Sequence, residues 1–223
     1  MKLVILGATG GVGQHLVTTA TGRGDEVLVV ARDKSSLPGN WACPVAEIDL
    51  SKATASSVES ALAGVDAVLS ALGARGAADH GILEAAATTV LAAMRDTGVR
   101  RYIGVSAAPV ATTPSPGRPA PPRHDPGDDL LTRSVMMPIV KRVFAAVYAD
   151  SALMEDAVRA SDRDWTIMRP ARLTNKRPTG QYRTAVDQNV RGGRSIGRTD
   201  LAHYMLDSVN DTNTFAHSIG IAY

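Results

Sequence analysis

The sequence predicts an α/β fold in which helices cover both faces of a doubly wound, mostly parallel sheet. Three observations lead to it: short apolar runs alternate with helical patterns, the turns between them are short, and the first run ends in a glycine-rich loop. The 223 residues suit one domain with a buried sheet. Because hydrophobic residues make up 44% of the chain and aromatic residues only 4%, the core must consist of Val, Leu, Ile and Ala.

The first half of the chain is predicted to form five strands and the helices that connect them. Apolar runs rich in β-branched residues place the strands at residues 2–6, 26–31, 45–48, 67–71 and 102–105. Apolar residues at helical spacing predict helices over residues 12–20 and 56–62 and a longer helix within residues 80–96. Since strands joined by such helices run parallel with right-handed crossovers, these elements form a Rossmann-type sheet.

The second half begins with a proline-rich segment. Residues 111–129 contain six prolines, which resist helix and sheet interiors, so we expect a loop or polyproline-like flap over about 109–133. Loops of this length are either functional lids or disordered insertions. A helical pattern follows over residues 134–161 with a predicted break near Asp150, and an apolar run predicts a strand at 165–168.

The carboxyl-terminal part is predicted to complete the sheet and to build a small substrate lobe beside it. Residues 170–197 read as a polar, glycine-bearing loop, and the lobe spans about 170–198. Thr199 or Asp200 is expected to cap a helix that carries Leu201, Met205, Leu206 and Val209. A last strand is predicted at 218–222.

The net charge of +2 conceals a local basic run. Residues 169–198 contain eight arginines and lysines against one acidic residue, Asp187. Such a run either attracts an anionic ligand or forms a solvated face paired with acidic helices. Nucleic-acid binding has little support beyond it.

The lone cysteine and the apolar runs indicate where the protein works. Cys43 excludes an internal disulfide and offers no cluster for a structural metal, which fits a reducing compartment. The first predicted strand begins at Lys2 and leaves no room for a cleaved signal, and no apolar run approaches the roughly 18 residues of a membrane helix. We therefore expect a cytoplasmic protein, monomeric or homodimeric, with no membrane contact.

The loop after the first strand predicts a dinucleotide site. In Gly7-x-x-Gly10-x-x-Gly13 the three glycines serve a tight turn, close approach of the pyrophosphate, and close packing of helix on sheet. The helix that follows presents unpaired N–H groups to the phosphates. The residues expected to contact the cofactor in this loop are Gly7, Thr9, Gly10, Gly11, Val12 and Gly13.

The end of the second strand selects between NADP and NAD. An acidic residue there accepts from the ribose 2′-OH of NAD, whereas an arginine accommodates the 2′-phosphate of NADP. Arg32 lies at this position and would bind the 2′-phosphate, with Lys34 and Ser35 as additional contacts. Asp33 favours NAD instead. The sequence thus favours NADP as cofactor and leaves NAD open.

The carboxyl ends of the other strands should line the same crevice, because ligands of open α/β sheets bind at that edge. The residues concerned are Asp49, Leu50, Ala71, Leu72, Gly73 and Ser106. Asp49 is also compatible with a helix start, Gly73 with a purely conformational role, and Ser106 with a capping role in its loop.

Taken together, these residues resemble the atypical short-chain dehydrogenase/reductase group of NAD(P)H-binding proteins, and most of all its biliverdin/flavin reductase branch. The resemblance spans nearly the whole chain. It is carried by Gly-Ala-Thr-Gly-Gly-Val-Gly at 7–13, Val-Ala-Arg-Asp at 30–33, Asp-Leu at 49–50, Ser-Ala at 106–107, Met-Arg-Pro at 168–170, Thr-Gly-Gln-Tyr at 179–182 and Asp-Leu-Ala-His-Tyr-Met-Leu at 200–206.

The resemblance implies that Ser106 stands beside the nicotinamide and that the loop after Pro170 closes the substrate pocket. Arg172 occupies the position of a histidine in the biliverdin and flavin reductases, and arginine is a poor proton donor at neutral pH. Ser106 and Arg172 are the candidate catalytic residues. The Tyr-x-x-x-Lys pair of ketone-reducing relatives is absent, because Ala152 follows Tyr148; we interpret Tyr148 as helix packing.

The leading hypothesis is an NADPH-dependent reductase that passes hydride to a flavin, quinone or similar conjugated acceptor. Such a reaction requires the acceptor to stack on the nicotinamide at near-attack distance, and it does not depend on a proton-donating side chain. The basic run, including Lys176 and Arg177, would suit a phosphate or carboxylate on this small-molecule acceptor. The alternative is a non-catalytic dinucleotide sensor of the NmrA-like kind, with the proline-rich segment as a protein ligand. Epimerase or dehydratase chemistry comes third.

Overall fold

The computed structural model describes residues 1–38, 41–73 and 81–223. Within these ranges, eight strands form one sheet and two short strands form a second. The order of the large sheet is β3 (Val45–Glu47), β2 (Glu26–Ala31), β1 (Lys2–Leu6), β4 (Ala67–Ser70), β5 (Arg101–Val105), β6 (Asp164–Pro170), β10 (His217–Ala222) and β8 (Arg183–Val186). All neighbours run parallel except β8, which is antiparallel to β10 at the edge. The predicted Rossmann-type, mostly parallel sheet is therefore confirmed.

The first half of the chain builds the sheet as its apolar runs predict, with bounds that differ by a residue or two. The strands are β1 Lys2–Leu6, β2 Glu26–Ala31, β3 Val45–Glu47, β4 Ala67–Ser70 and β5 Arg101–Val105. The helices are α1 Gly11–Gly22, α2 Ala55–Leu62 and α3 Ile82–Thr97. Residue 80, where the third predicted helix was expected to begin, lies outside the described residues.

Alternate residues of β1 enter two separate cores. Leu3 and Ile5 belong to a cluster with α1, whereas Val4 and Leu6 belong to a cluster with α2 and α3. Both faces are buried, which explains why the strand reads as an uninterrupted apolar run. The chain leaves β1 toward β3 and returns to β4 on the other side, so the strand order reverses beside β1. Ligands bind at such a switch point, at the carboxyl ends of the strands.

The second half adds five strands: the sequence predicts the first and the last of them and presents the three between as loop. They are β6 Asp164–Pro170, β7 Arg172–Thr174, β8 Arg183–Val186, β9 Ser195–Gly197 and β10 His217–Ala222. The prediction of a strandless loop over 170–197 is therefore wrong. Three of these strands contain only three or four residues, and β8 is largely exposed, so none carries the apolar run by which a buried strand is recognised.

The helices of the second half are α4 Met137–Val143, α5 Ala145–Ala160 and α6 Arg198–Asp207. The predicted break near Asp150 is wrong, because the chain leaves helical geometry at Phe144 (φ −111°, ψ 27°). Asp150 lies inside α5, fully buried. Its carboxylate accepts the backbone N–H groups of Leu83 and Glu84 at 3.1 and 3.2 Å and so caps α3 from another element.

The start of α6 also differs from the prediction. Gly197 is its N-cap, not Thr199 or Asp200. The Asp200 carboxylate instead accepts the backbone N–H groups of Thr179 and Gly180 and the hydroxyl of Tyr223. Asp200 therefore fastens the loop before β8 to the end of the chain. Val209 falls beyond the end of α6 but is buried in the core.

The proline-rich segment crosses the surface of α5 as a packed loop. A helical turn at Ala108–Thr112 precedes it, and another begins at Thr132. The Ser115 hydroxyl and the Gly117 N–H both donate to Asp156 of α5, at 2.9 and 2.8 Å. No helix in the described part of the chain is long and apolar enough to cross a membrane.

Candidate functional site

The carboxyl ends of β1, β2, β4 and β5 open into a cleft of about 570 Å³. One wall comes from the glycine loop and the segments after β2, β3 and β4. The other comes from α5, β7 and the first residue of α6. Every residue predicted to contact a cofactor lines it, except Gly13: Gly7, Thr9, Gly10, Gly11, Val12, Arg32, Asp49, Leu50, Ala71, Leu72, Gly73 and Ser106.

The glycine loop has the geometry that its spacing predicts. Gly7 has a φ of +77°, and a Cβ on it would lie 2.5 Å from the carbonyl oxygen of Ala71. A Cβ on Gly13 would lie 2.2 Å from the Gly7 carbonyl oxygen, so only glycine lets α1 start against the loop. A Cβ on Gly10 would meet only that same oxygen, at 3.3 Å. The loop thus presents bare backbone to the cleft, which fits a pyrophosphate.

The end of β2 separates the roles of Arg32 and Asp33. One carboxylate oxygen of Asp33 accepts from the N–H and the hydroxyl of Ser35, at 2.8 and 2.6 Å, and these hydrogen bonds lower the pKa of Asp33. Asp33 therefore caps the helical turn Lys34–Ser36. Arg32 is exposed and lines the cleft. Among the described residues, no hydrogen bond or ion pair engages its guanidinium.

Asp49 has a local role as well as a place in the cleft. Its carboxylate accepts from the N–H and the hydroxyl of Ser51, at 3.1 and 2.6 Å, and the Ser51 hydroxyl lowers the pKa of Asp49. Leu50 beside it is buried under the cleft. The expected helix start at Asp49 is therefore wrong, because α2 begins at Ala55 with Thr54 as its N-cap; Asp49 closes a turn before it and lines the cleft.

Ser106 is tied to a buried ion pair that the sequence does not reveal. Its hydroxyl donates to Glu155 Oε1 at 2.7 Å. Arg169 donates to both oxygens of Glu155 from Nε at 2.9 Å and from Nη2 at 2.5 Å, and Arg159 Nη2 lies 3.1 Å from Oε2. Glu155 is fully buried. Burial raises its pKa, but the two guanidinium groups and the Ser106 hydroxyl outweigh burial and hold the pKa below its usual value.

This arrangement decides what Ser106 offers to a ligand. Because Glu155 is ionised, it can only accept, and the single hydroxyl proton of Ser106 points toward it. Toward the cleft, Ser106 Oγ therefore presents lone pairs and acts as an acceptor. One sequence signal could have identified Glu155: it lies three residues from both Ala152 and Val158, so helical spacing puts its charge on an apolar face of α5.

The far wall of the cleft is mainly apolar and carries one aromatic ring. Val147, Tyr148 and Ser151 of α5 and Leu173 of β7 line it. Tyr148 packs against Phe144 with the ring centroids 6.1 Å apart, as the packing interpretation expects, and it also lines the cleft. Burial raises the pKa of its hydroxyl. Position 152 is an alanine on the same helix, so no lysine stands beside the tyrosine.

Arg172 is not brought together with Ser106. It is exposed at the start of β7 and does not line the cleft, whereas its neighbour Leu173 does. Successive side chains of a strand point to opposite faces, so Leu173 and Arg172 cannot both face the ligand. Of the basic run 169–198, Arg198 alone reaches the wall of this cleft, and Arg169 is committed to Glu155.

No group of three or more potential metal ligands occurs in the part of the chain that the structure describes. Cys43 is half-buried, and burial raises the pKa of its thiol.

The sequence profile of the NAD(P)H-binding family matches residues 7–212 of this chain. The chain belongs to that family. The match includes the glycine loop, both walls of the cleft and α6.

Curated relatives match less of the chain. An uncharacterised protein of Mycobacterium tuberculosis is 33% identical over 106 residues, which is 48% of this chain and 12% of that protein. A protein of Schizosaccharomyces pombe is 32% identical over 138 residues, 59% of this chain and 53% of its own length.

Solved structures share the fold over the full length. The oxidoreductase YlbE of Lactococcus lactis superposes with a TM-score of 0.76 at 19% identity, covering 100% of this chain and 90% of that one. A candidate NADH-flavin reductase of Streptococcus pneumoniae gives 0.75 at 21% identity and covers 100% and 99%. A short-chain dehydrogenase/reductase of Veillonella parvula in complex with NADP gives 0.76 at 18% and covers 100% and 94%.

Proposed function

We propose that this NAD(P)H-binding protein is an NADPH-dependent reductase of a planar, conjugated acceptor such as a flavin or quinone. The observation that carries the proposal is the form of the cleft: a bare glycine loop on one side of Ser106 and an apolar wall with one tyrosine on the other. When bound, the nicotinamide supplies the hydride. The protein then has to hold the acceptor flat against it and to exclude water.

The preference for NADP rests on Arg32. Its exposed guanidinium lies at the end of β2, while the neighbouring carboxylate of Asp33 is occupied by Ser35. Asp33 is thus a poor acceptor for a ribose hydroxyl, and Arg32 can bind a phosphate with two parallel hydrogen bonds. The related structure from Veillonella parvula contains NADP.

The acceptor is expected to be apolar and aromatic where it meets the protein. Val147, Tyr148 and Leu173 offer dispersion and ring contacts, and Ser106 Oγ offers a lone pair to an N–H of the bound ligands. A flavin carries both a flat ring system and an N–H group. The likeness to a candidate NADH-flavin reductase supports this class of acceptor.

The test is oxidation of NADPH, followed by the loss of its near-ultraviolet absorbance, with FMN, riboflavin and a quinone as acceptors. We expect saturable turnover with at least one acceptor and a higher KM in the Leu173→Ala variant, whose wall is incomplete. Arg172→Ala is the matched control and should turn over as the native protein does, because Arg172 does not line the cleft.

A non-catalytic dinucleotide sensor is the second candidate. It is favoured by one observation: the proton of Ser106 is directed to Glu155, and Arg172 lies outside the cleft. Tight binding of NADPH with no turnover on any of the three acceptors would favour this sensor and overturn the reductase.

A further inference from the structure

Arg198 belongs to none of the sequence motifs and lies beside the first turn of α1. It is the first residue of α6, and its side chain crosses over the glycine loop. A Cβ built on Gly11 would lie 2.6 Å from Arg198 Cδ and 2.9 Å from its Nε. Both residues line the cleft. A guanidinium therefore stands next to the backbone N–H groups that begin α1.

The glycine at position 11 is explained by this arginine and not by the loop itself. Gly11 does not have a left-handed φ. The three nearest atoms that a Cβ there would meet, apart from the backbone of α1, belong to the Arg198 side chain. Gly13 is different, since its Cβ would collide with backbone atoms of Gly7 and Ala8. The missing side chain of Gly11 thus leaves room for Arg198.

The charge of Arg198 is poorly compensated by the protein. Its Nη1 donates to the neutral side chain of Asn175 at 2.7 Å, and within the described ranges no carboxylate pairs with it. It also stands at the amino terminus of α6 and next to that of α1, where the helix dipoles disfavour a cation. Of the ionisable groups nearby, His15 of α1 is not acidic, and the carboxylate of Asp200, two residues further along α6, is occupied by Thr179, Gly180 and Tyr223. An anion at this point would satisfy the guanidinium and both helix ends together.

We infer that Arg198 binds the pyrophosphate of the dinucleotide. The glycine loop supplies backbone N–H donors, and Arg198 supplies a charged donor from the start of α6. The inference rests on the membership of the NAD(P)H-binding family and not on the identity of the acceptor. It also links the bound cofactor to α6 and, through Asn175, to the segment after β7.

The two arginines of the cleft should therefore differ in what they recognise. Arg32 is placed for the 2′-phosphate, which only NADP carries. The pyrophosphate is common to NAD and NADP, so Arg198 should contribute equally to the affinity for both. Adenosine 2′-monophosphate carries the 2′-phosphate without a pyrophosphate and should not depend on Arg198.

The experiment measures the dissociation constants of NADP⁺, NAD⁺ and adenosine 2′-monophosphate by titration calorimetry. In Arg198→Met the aliphatic part of the side chain is kept and the charge is lost. We expect affinity for both dinucleotides to fall by the same factor, about 10- to 100-fold, as for the loss of a charge-assisted hydrogen bond. Binding of adenosine 2′-monophosphate should change less than about twofold.

Arg191→Met is the matched control, because it removes the same charge from an exposed position of the same basic run outside the cleft. It should leave all three dissociation constants unchanged. Arg198→Lys should restore part of the lost affinity, since it retains a cation without the planar fork. Dinucleotide affinity in Arg198→Met within twofold of the native value would overturn the inference, as would an equal loss for adenosine 2′-monophosphate.

Discussion

The two walls of the cleft are built in different ways. The wall formed by the glycine loop and the ends of β2 and β4 consists of short contiguous segments in which glycines leave the backbone bare. The rest of the lining consists of side chains from α5, β7 and α6, which are far apart in sequence. The first wall depends on backbone conformation and the second on packing and charge. Substitutions that act on these separate requirements should therefore have different effects.

The largest effect is expected at the buried pair behind Ser106. Glu155→Gln leaves the buried guanidinium of Arg169 without a countercharge, which should lower the free energy of unfolding by about 4 kcal/mol. Urea denaturation measures this loss. Asp96→Asn breaks an exposed pair with Arg95 and should change little, because surface pairs contribute weakly.

The pH dependence of the same pair has a defined sign. The pKa of Glu155 is lowered in the folded state, so its contribution to stability is present above its ordinary value of 4.5 and is lost as the pH falls through the folded-state pKa. The difference in the free energy of unfolding between the native protein and Glu155→Gln should therefore become smaller as the pH falls through the folded-state pKa of Glu155. A constant difference across the acid range would show that Glu155 is not ionised.

The next largest effect is expected in the wall that depends on backbone. In Gly13→Ala the new methyl group would lie 2.2 Å from the Gly7 carbonyl oxygen, so we expect a loss of about 3 kcal/mol in stability and weaker binding of NADPH. Gly22→Ala is the control in the same helix, since nothing lies within 4 Å of its Cβ position. That variant should be neutral or slightly stabilised, because alanine is the better helix former.

At the end of β2, a substitution should change cofactor selectivity and leave folding intact. Arg32→Gln should weaken the binding of NADPH by about 2 kcal/mol, or roughly 30-fold, and the binding of NADH by much less. Lys34→Gln is the control for general charge, because Lys34, which the sequence presents as a helper of Arg32, is exposed in the following turn and does not line the cleft. Equal losses for NADPH and NADH in Arg32→Gln would contradict the assignment to the 2′-phosphate.

The smallest of these free-energy changes is expected at Ser106 itself. Ser106→Ala removes one hydrogen bond to Glu155, whose oxygens still bind both arginines. We therefore expect the free energy of unfolding, measured by thermal denaturation, to fall by about 1 kcal/mol. Ser151→Ala is the control, because the Ser151 hydroxyl also lies at the cleft but bonds within its own helix. A loss of stability no larger than that of Ser151→Ala would speak against the contact with Glu155.

The sequence by itself determined the sheet, the glycine loop and the strand ends that line the cleft. Each follows from a local requirement: a strand buried on both faces needs an apolar run, and the turn at Gly7 needs a left-handed residue. The family resemblance is confirmed by the match over residues 7–212. The short strands β7, β8 and β9 were missed because so few residues carry no periodic signal.

Only the tertiary structure decided which distant side chains meet. Glu155 reaches Ser106, and Arg198 reaches Gly11, because α5 and α6 pack beside the carboxyl edge of the sheet. Arg172 is excluded from the cleft by the alternation of a three-residue strand, which leaves Leu173 in its place. Such contacts depend on the position and rotation of whole elements, and no local pattern in the sequence encodes either.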